Sequence, residues 1–328
     1  MIKILLVTMN KLNAVDFYRT FGALAYLYKL TDKVQIDRVD NITWDVIIGY
    51  DILFMCRPIR TVERGIIKAA KEMNIKTWVD YDDLLHDLPE YNPAFNYYND
   101  KDIRNNITDV INIADFVTVS TQKLKDYYGH LNKNIMVVEN AHNDYLYPLK
   151  RIDNKNQIVN WRGSFTHRGD LYTIRDQLIN IAGNNKDWVF SFIGTDLWYM
   201  TEYIENHIFY EGCDINIYFE IIKKTKPSIN IFPLVKNPFN EAKSNISWLE
   251  GVYSGSVMIA PDLPEFNKPG VITYNSPEKF SYYLEKALKS QSFRKENYNK
   301  SFDYITENLL LSNVNKKRLE VIECLMSV

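Results

Sequence analysis

The chain has 328 residues, 46% of them hydrophobic and 14% aromatic, with a formal charge of −2 and a pI near 6.2. That is long and apolar enough for two domains with a core each, and the charge excludes a globally basic nucleic-acid binder while leaving room for a local basic cleft. Three distant cysteines, Cys56, Cys213 and Cys324, match no zinc or disulfide spacing, and no apolar run reaches membrane-spanning length, so a reduced, cytoplasmic, soluble chain is expected.

From the start, Ile2 to Val7 is an apolar run too short for a signal peptide, and it reads as a first strand. Polar Thr8, Asn10 and Lys11 follow, then an amphipathic segment from Asp16 to Leu30 with Phe17, Leu24, Leu27 and Tyr28 available for a core face. The loop lacks G-x-G-x-x-G, so neither NAD nor FAD is inferred. Further strands are predicted at Val34–Val39, Ile52–Cys56, Lys76–Val79, Phe116–Val119 and Ile135–Val138, with helices such as Thr61–Met73 and Asp102–Ala114 between them. This alternation predicts a parallel, doubly wound α/β sheet.

Basic residues exceed acidic ones up to Val79, whereas nine acidic residues from Asp80 to Asp115 crowd the next segment. Arg57-Pro58 ends one predicted strand and Asp80-Tyr-Asp-Asp83 the next, which puts both at the ligand-facing carboxyl edge. Asp80, Asp82 and Asp83 could bind a cation, accept hydroxyls or supply a base, or could cap a turn, as aspartates commonly do after a strand. His86 and His142 are each readable as a cleft residue or a satisfied structural group. The many tyrosines are readable as sugar-stacking surfaces or as core packing.

The second half opens with an apolar run, Ile158–Trp161, then a small cationic loop, Arg162-Gly-Ser-Phe-Thr-His-Arg-Gly-Asp170, leading into a helix. Small residues let backbone approach a diphosphate, hydroxyls and N–H groups donate to it, and Arg168 can pair with it; an ordinary polar turn is the alternative. A buried strand from Trp188 to Ile193 ends at Gly194-Thr-Asp196, near Trp198, a candidate for stacking on a base or sugar. Ile215–Phe219 and Ile229–Phe232 are further short apolar runs, the three lysines between them reading as a solvated face. Val271–Thr273 and amphipathic segments, including Phe293–Leu310 and Val314–Met326, complete the chain.

The most informative run is PLVKNPFNEAKSNISWLEGVYSGSVMIAP, Pro233 to Pro261. It reads as a loop after the Ile229 strand, a helix starting at Asn240 and stopping near Gly255, and a strand at Val257–Ala260. On such a helix Lys243 would lie in the first turn and Glu250 seven residues on, along the same face, a cation for a phosphate and a carboxylate for ribose hydroxyls. A plain amphipathic surface helix has the same spacing.

That run resembles the nucleotide-sugar segment of family 4 glycosyltransferases of the GT-B fold, and the G-S-x-T-H-x-x-D phrase at Gly163–Asp170 is similar to one in the same group. WVDYDDLLHDLP, ADFVTVST and VVENAHNDYLYP likewise resemble its acceptor domain. The resemblance implies two Rossmann-like domains facing a central cleft: residues 1–148 on the acceptor side, 149–292 binding the nucleotide sugar, and C-terminal helices over 293–328 returning towards the first domain. It implies a hexosyl- or pentosyltransferase using a nucleotide-diphosphate sugar, UDP-linked by preference, with no metal or other cofactor and with retention of configuration. Lys243, Arg168 and Asp82 become catalytic candidates, with Gly163, Ser164, Thr166, His167, Ser244, Asn245 and Glu250 donor-binding. Arg19, Arg57, Asp83 and His142 become acceptor-side candidates, Arg19 also being readable as an ordinary surface arginine. Ala242 departs from the group, since many relatives carry a glutamate there. Two rivals stay open: a DNA glycosyltransferase acting on hydroxymethylated bases, supported by Arg57, Arg60 and Arg64, and a degenerate module that binds nucleotide or glycan without turnover.

Overall fold

The computed structural model describes residues 1–8 and 13–327, so Asn10 and Lys11 of the first loop lie outside the described residues. The chain forms two compact units, one from residues 1–146, 242–244 and 309–328, the other from 147–241 and 245–308.

The first unit contains β1 (Ile2–Val7), β2 (Val34–Val39), β3 (Ile52–Cys56), β4 (Lys76–Tyr81), β5 (Phe116–Val119) and β6 (Ile135–Val137), all parallel, in the order β2-β1-β3-β4-β5-β6. The second contains β7 (Ile158–Gly163), β8 (Val189–Gly194), β9 (His207–Glu211), β10 (Ile229–Ile231), β11 (Val257–Pro261) and β12 (Ile272–Tyr274), also parallel, in the order β12-β11-β10-β7-β8-β9. Inner strands are mostly apolar because helices cover both faces; Ile4, Leu5 and Leu6 are fully buried, as are Val257 and Ile259, while a few buried polar residues such as Asp80, Asn160 and Asn230 interrupt the runs. Strand order reverses between β1 and β3 in one sheet and between β7 and β10 in the other. Loops diverge there, leaving a crevice beyond the carboxyl ends of each pair.

Ten predicted strands fall within two residues of their observed ends. β9 was not predicted: it is an edge strand on β8, and its short apolar run, Ile208-Phe-Tyr210, is mostly exposed. Ile215–Phe219 proves to be the start of a helix, Ile215–Thr225, whose buried Ile215, Tyr218, Phe219 and Ile222 have helical spacing. The Asp16–Leu30 segment is three short pieces, Ala14–Arg19, Phe21–Leu24 and a 3-10 turn at Ala25–Lys29, because Thr20 leaves helical geometry at φ −113°, ψ −118°.

The expected helix from Asn240 to Gly255 is a larger correction. It is broken into Pro238–Glu241 and Ile246–Ser254, with Ala242–Ser244 counted in the first unit. A side chain of that unit takes the place of an intrahelical bond, Thr121 Oγ1 donating to the Ala242 carbonyl at 3.0 Å, and Asn140 Nδ2 holds the Ser244 hydroxyl at 2.8 Å. Lys243 is therefore in no helical turn, and it shares no helix face with Glu250.

Many tyrosines serve the core. Tyr81, Tyr128, Tyr218 and Tyr274 are all buried, and burial pushes each phenol's pKa well above its ordinary value. The folded state keeps these protons while the unfolded chain releases them above about pH 10, so stability is intact below that pH and falls above it, by roughly 1.4 kcal/mol per pH unit per tyrosine. Urea unfolding at pH 9 and pH 11 should show the midpoint dropping, with a set of phenols silent at 295 nm until the chain unfolds; equal midpoints would refute the assignment.

Candidate functional sites

In the second unit, β7 delivers Arg162 and Gly163 to the carboxyl edge. Gly163 is dictated by packing as well as by any ligand, for a Cβ there would lie 2.6 Å from the Trp161 ring and 3.2 Å from His167 Cβ. Gly194, at the end of β8, has φ +123°, and a Cβ on it would meet the Gly163 carbonyl at 2.2 Å. Only glycine lets the two strand ends close so tightly. Beyond them Ser164 is exposed and its hydroxyl bonds Thr166 Oγ1 at 2.6 Å, while exposed Arg168 donates to the Asp196 carbonyl at 2.8 Å.

Asp170, the last residue of the loop phrase, is buried and crosses the crevice between β7 and β10. Its carboxylate accepts from the Val235 amide at 2.9 Å and Asn240 Nδ2 at 3.0 Å, and it bonds His167 Nδ1 at 2.9 Å. Asn240 also donates to the Val235 carbonyl at 2.9 Å. The loops after β7 and β10 are thus pinned to each other by one carboxylate. A cavity of about 330 Å³ lies beside the pinned loop, lined by Thr173, Leu234, Val235, Pro261, Asp262 and Tyr274 among others.

Glu250 sits on the Ile246–Ser254 helix, which begins at Asn245 and ends on Gly255 in the left-handed region. Its side chain is fully out of water, and Oε2 accepts from Arg162 Nε at 2.7 Å, Arg162 Nη2 at 2.7 Å and the Tyr218 hydroxyl at 3.1 Å. The Arg162 guanidinium lies 5.5 Å from the Tyr218 ring centre and keeps 26% of its side chain exposed. Burial and the Glu250 charge both push the Tyr218 phenol well up, which keeps it a donor. Arg162 and Asp170 stood in the quoted loop but were not singled out. The arginine abutting Gly163, 88 residues before a glutamate, carries no spacing signal; only the fold pairs them.

In the first unit, the carboxyl ends of β3 and β4 bring together Arg57, Asp82 and Asp83, as expected. Arg57 takes the left-handed region, φ +51°, uncommon for a residue with a side chain. Its Nε donates to Asp82 and its Nη2 to Asp83 at 2.7 Å. Lys243 Nζ reaches the other Asp83 oxygen at 3.2 Å. A crevice of about 250 Å³ lies beside Arg57 at the β1–β3 reversal, bordered by Thr8, Asp16, Arg60, Tyr97 and Tyr98 among others.

Three other expected residues are structural. Arg19 is neither an anion contact nor a surface arginine: at 1% exposure it is clamped to Asp80 through Nε at 2.9 Å and Nη2 at 2.6 Å, and Nη1 donates to the Val138 carbonyl at 2.6 Å. His142 is buried, and its backbone is paired with Leu309 and Leu311. His86 bonds the Tyr128 hydroxyl, the Arg104 carbonyl and Thr108, and burial lowers its pKa, so it is held neutral. Exposed Trp198 opens a short helix after β8. Among the described residues, no group of three or more His, Cys, Asp or Glu is arranged to hold a metal ion, and no helix is long and apolar enough to cross a membrane.

No protein-family model matches the chain, and no curated protein matches it by sequence. Solved structures do. HepE from Anabaena, in complex with UDP-glucose, is similar over all of both chains at TM-score 0.68 and 11% identity. An α-glucosyltransferase in complex with UDP and a 13-mer DNA is similar over 98% of both chains, at 0.64 and 11%. TarM of S. aureus, in complex with fondaparinux, α-GlcNAc-glycerol and UDP, matches 91% of this chain at 0.60 and 13%, and this chain spans 58% of that one. At these identities the likeness establishes the fold: two Rossmann-like domains of the GT-B class.

The Arg162–Glu250–Tyr218 group makes a direct prediction. Arg162→Ala leaves a buried carboxylate short of its cation and should destabilise the second unit by about 2–4 kcal/mol, less than for a wholly buried pair because Arg162 keeps contact with water. Adding Glu250→Gln should restore part of that loss in urea unfolding; strictly additive losses would show that the two residues are not coupled.

Proposed function

We propose that this chain is a glycosyltransferase that moves a sugar from a UDP-sugar to an acceptor hydroxyl. The observation that carries the reading is the group at the carboxyl edge of the second sheet: a glycine pair, exposed Ser164 and Arg168, and Arg162 fixed by buried Glu250. UDP or UDP-glucose is bound in the three similar structures, and their GT-B fold is the one this chain shares.

In this reading the donor lies along the β7 loop. Ser164 and Thr166 hydroxyls and the Gly163–Thr166 amides donate to the diphosphate, and His167, Ser244 and Asn245 line the donor side. As the anomeric carbon becomes cation-like, negative charge accumulates on the leaving diphosphate; Arg168 and Lys243 supply the compensating positive charge, so the mechanism asks for no metal ion. Glu250 keeps its place on the donor side in this reading, acting through Arg162. A fully buried carboxylate is better suited to orienting Arg162, whose exposed part meets the donor, than to accepting ribose hydroxyls itself. Asp82 and Asp83, held by Arg57 beside the first-unit crevice, serve the acceptor hydroxyl. Retention of anomeric configuration follows from the family 4 resemblance and is read from the NMR spectrum of the first product formed.

A second reading, transfer to a hydroxymethylated base in DNA, is favoured by the end-to-end match to the α-glucosyltransferase solved with DNA. Its sequence support weakens, because Arg57, Arg60 and Arg64 each pair with a carboxylate: Asp82 and Asp83, Glu63, and Asp109. Retention of duplex DNA that falls steeply with salt would revive it.

A panel of UDP-sugars should raise the melting temperature in proportion to occupancy, and one of them should be consumed. Arg168→Ala and Lys243→Ala should each lower turnover about 10²- to 10³-fold with little change in stability. Binding without any donor hydrolysis or transfer would instead identify a module that only binds, and unchanged turnover in both variants would remove the site.

A further inference from the structure

Four charges of the first unit form a chain: Asp82, Arg57, Asp83, Lys243. The two links to Asp83 are unequal. Arg57 Nη2 stands 2.7 Å from one carboxylate oxygen, inside the range of a strong charge-assisted bond, whereas Lys243 Nζ stands 3.2 Å from the other, outside it. Arg57 is held at both ends of its guanidinium by two carboxylates. Lys243 brings a single point charge on a flexible stem, and 16% of its side chain and 20% of that of Asp83 remain in contact with water. Its two neighbours, by contrast, are held, Ala242 at its carbonyl by Thr121 and Ser244 at its hydroxyl by Asn140, each of those two partners being 1% exposed. The anchored segment leaves the ammonium as the part that can change partner, and Asp83 would stay compensated by Arg57 when it did.

We infer that Asp83 is a stand-in anion. It holds the Lys243 ammonium while no donor is bound, and surrenders it to the donor's diphosphate, so that donor affinity is set by a competition between carboxylate and diphosphate for one cation. The inference rests on the reading of Lys243 as a donor residue. A multiply charged diphosphate outcompetes a single carboxylate at sufficient concentration, and the fraction of molecules with Lys243 already released scales the apparent affinity. Asp83 is in this sense a positioning residue, acting on the donor only through Lys243.

The test is UDP titrated calorimetrically into the full chain and its variants, each first checked for a native melting transition. Asp83→Asn keeps the shape and removes the charge, and should tighten UDP binding about 3- to 10-fold; Asp83→Ser serves if the amide disturbs folding. Lys243→Met should weaken binding, and in that background Asp83→Asn should change nothing. Asp82→Asn removes an equal charge from Arg57 without touching Lys243, and should not tighten UDP. Unchanged or weaker binding in Asp83→Asn overturns the inference, as does equal tightening in Asp82→Asn, which would mark a general field effect. If Lys243→Met binds UDP as the parent does, the donor assignment of Lys243 falls as well; if it binds more weakly and Asp83→Asn fails to tighten, the competition alone falls.

Discussion

A carboxylate removed from water must be met by cations or N–H donors, and both sheets end on carboxylates in that position. Asp80 closes the first sheet, taking the Arg19 guanidinium and the Thr118 hydroxyl. Asp170 and Glu250 do the same for the second, one tying two loops across the strand reversal, the other holding Arg162. Each demands partners from several elements at once. The edge where strands would splay is thereby drawn into fixed geometry, and the groups that can meet a ligand are held by groups that cannot.

This division explains the exposure pattern around the proposed donor region. Glu250 and Asp170 are buried, whereas Ser164 and Arg168 are exposed and Arg162 is partly so. Fixed supports beneath accessible donors make for an environment that needs little rearrangement when charge develops on a leaving group. The left-handed backbone at Arg57 fits the same logic in the first unit: its conformational strain is offset by a guanidinium spanning Asp82 and Asp83.

The fold was legible because most inner strands are buried on both faces and so appear as largely apolar runs separated by helical periods; residues 4–7 and Val257–Pro261 are of this kind. β9 was missed because its apolar run is only Ile208-Phe-Tyr210, between polar residues. The proposed donor loop could be picked out because one short stretch carries Gly163, Ser164 and Arg168, whereas roles decided by tertiary pairing had no local signal. Arg19 looked like a surface residue because nothing local announces Asp80, 61 positions later. The break at Ala242–Ser244 was equally invisible: its residues permit a helix, and the side chains that hold it, Thr121 on the Ala242 carbonyl and Asn140 on the Ser244 hydroxyl, lie more than 100 residues away.

The first unit is discontinuous in the chain, and order of synthesis gives that a consequence. Its closing piece is the helix Leu311–Met326, which buries Leu311, Val314, Val321, Ile322 and Leu325 and whose Asn315 donates to the carbonyl of Ala23, 292 positions earlier. Whatever the nascent polypeptide does before then, that early portion waits, with part of its apolar surface uncovered, until the residues from 309 onward have been made. Of the two units, the one whose synthesis begins earlier is closed later, and its uncovered apolar surface is what a chaperone would shield in the interval.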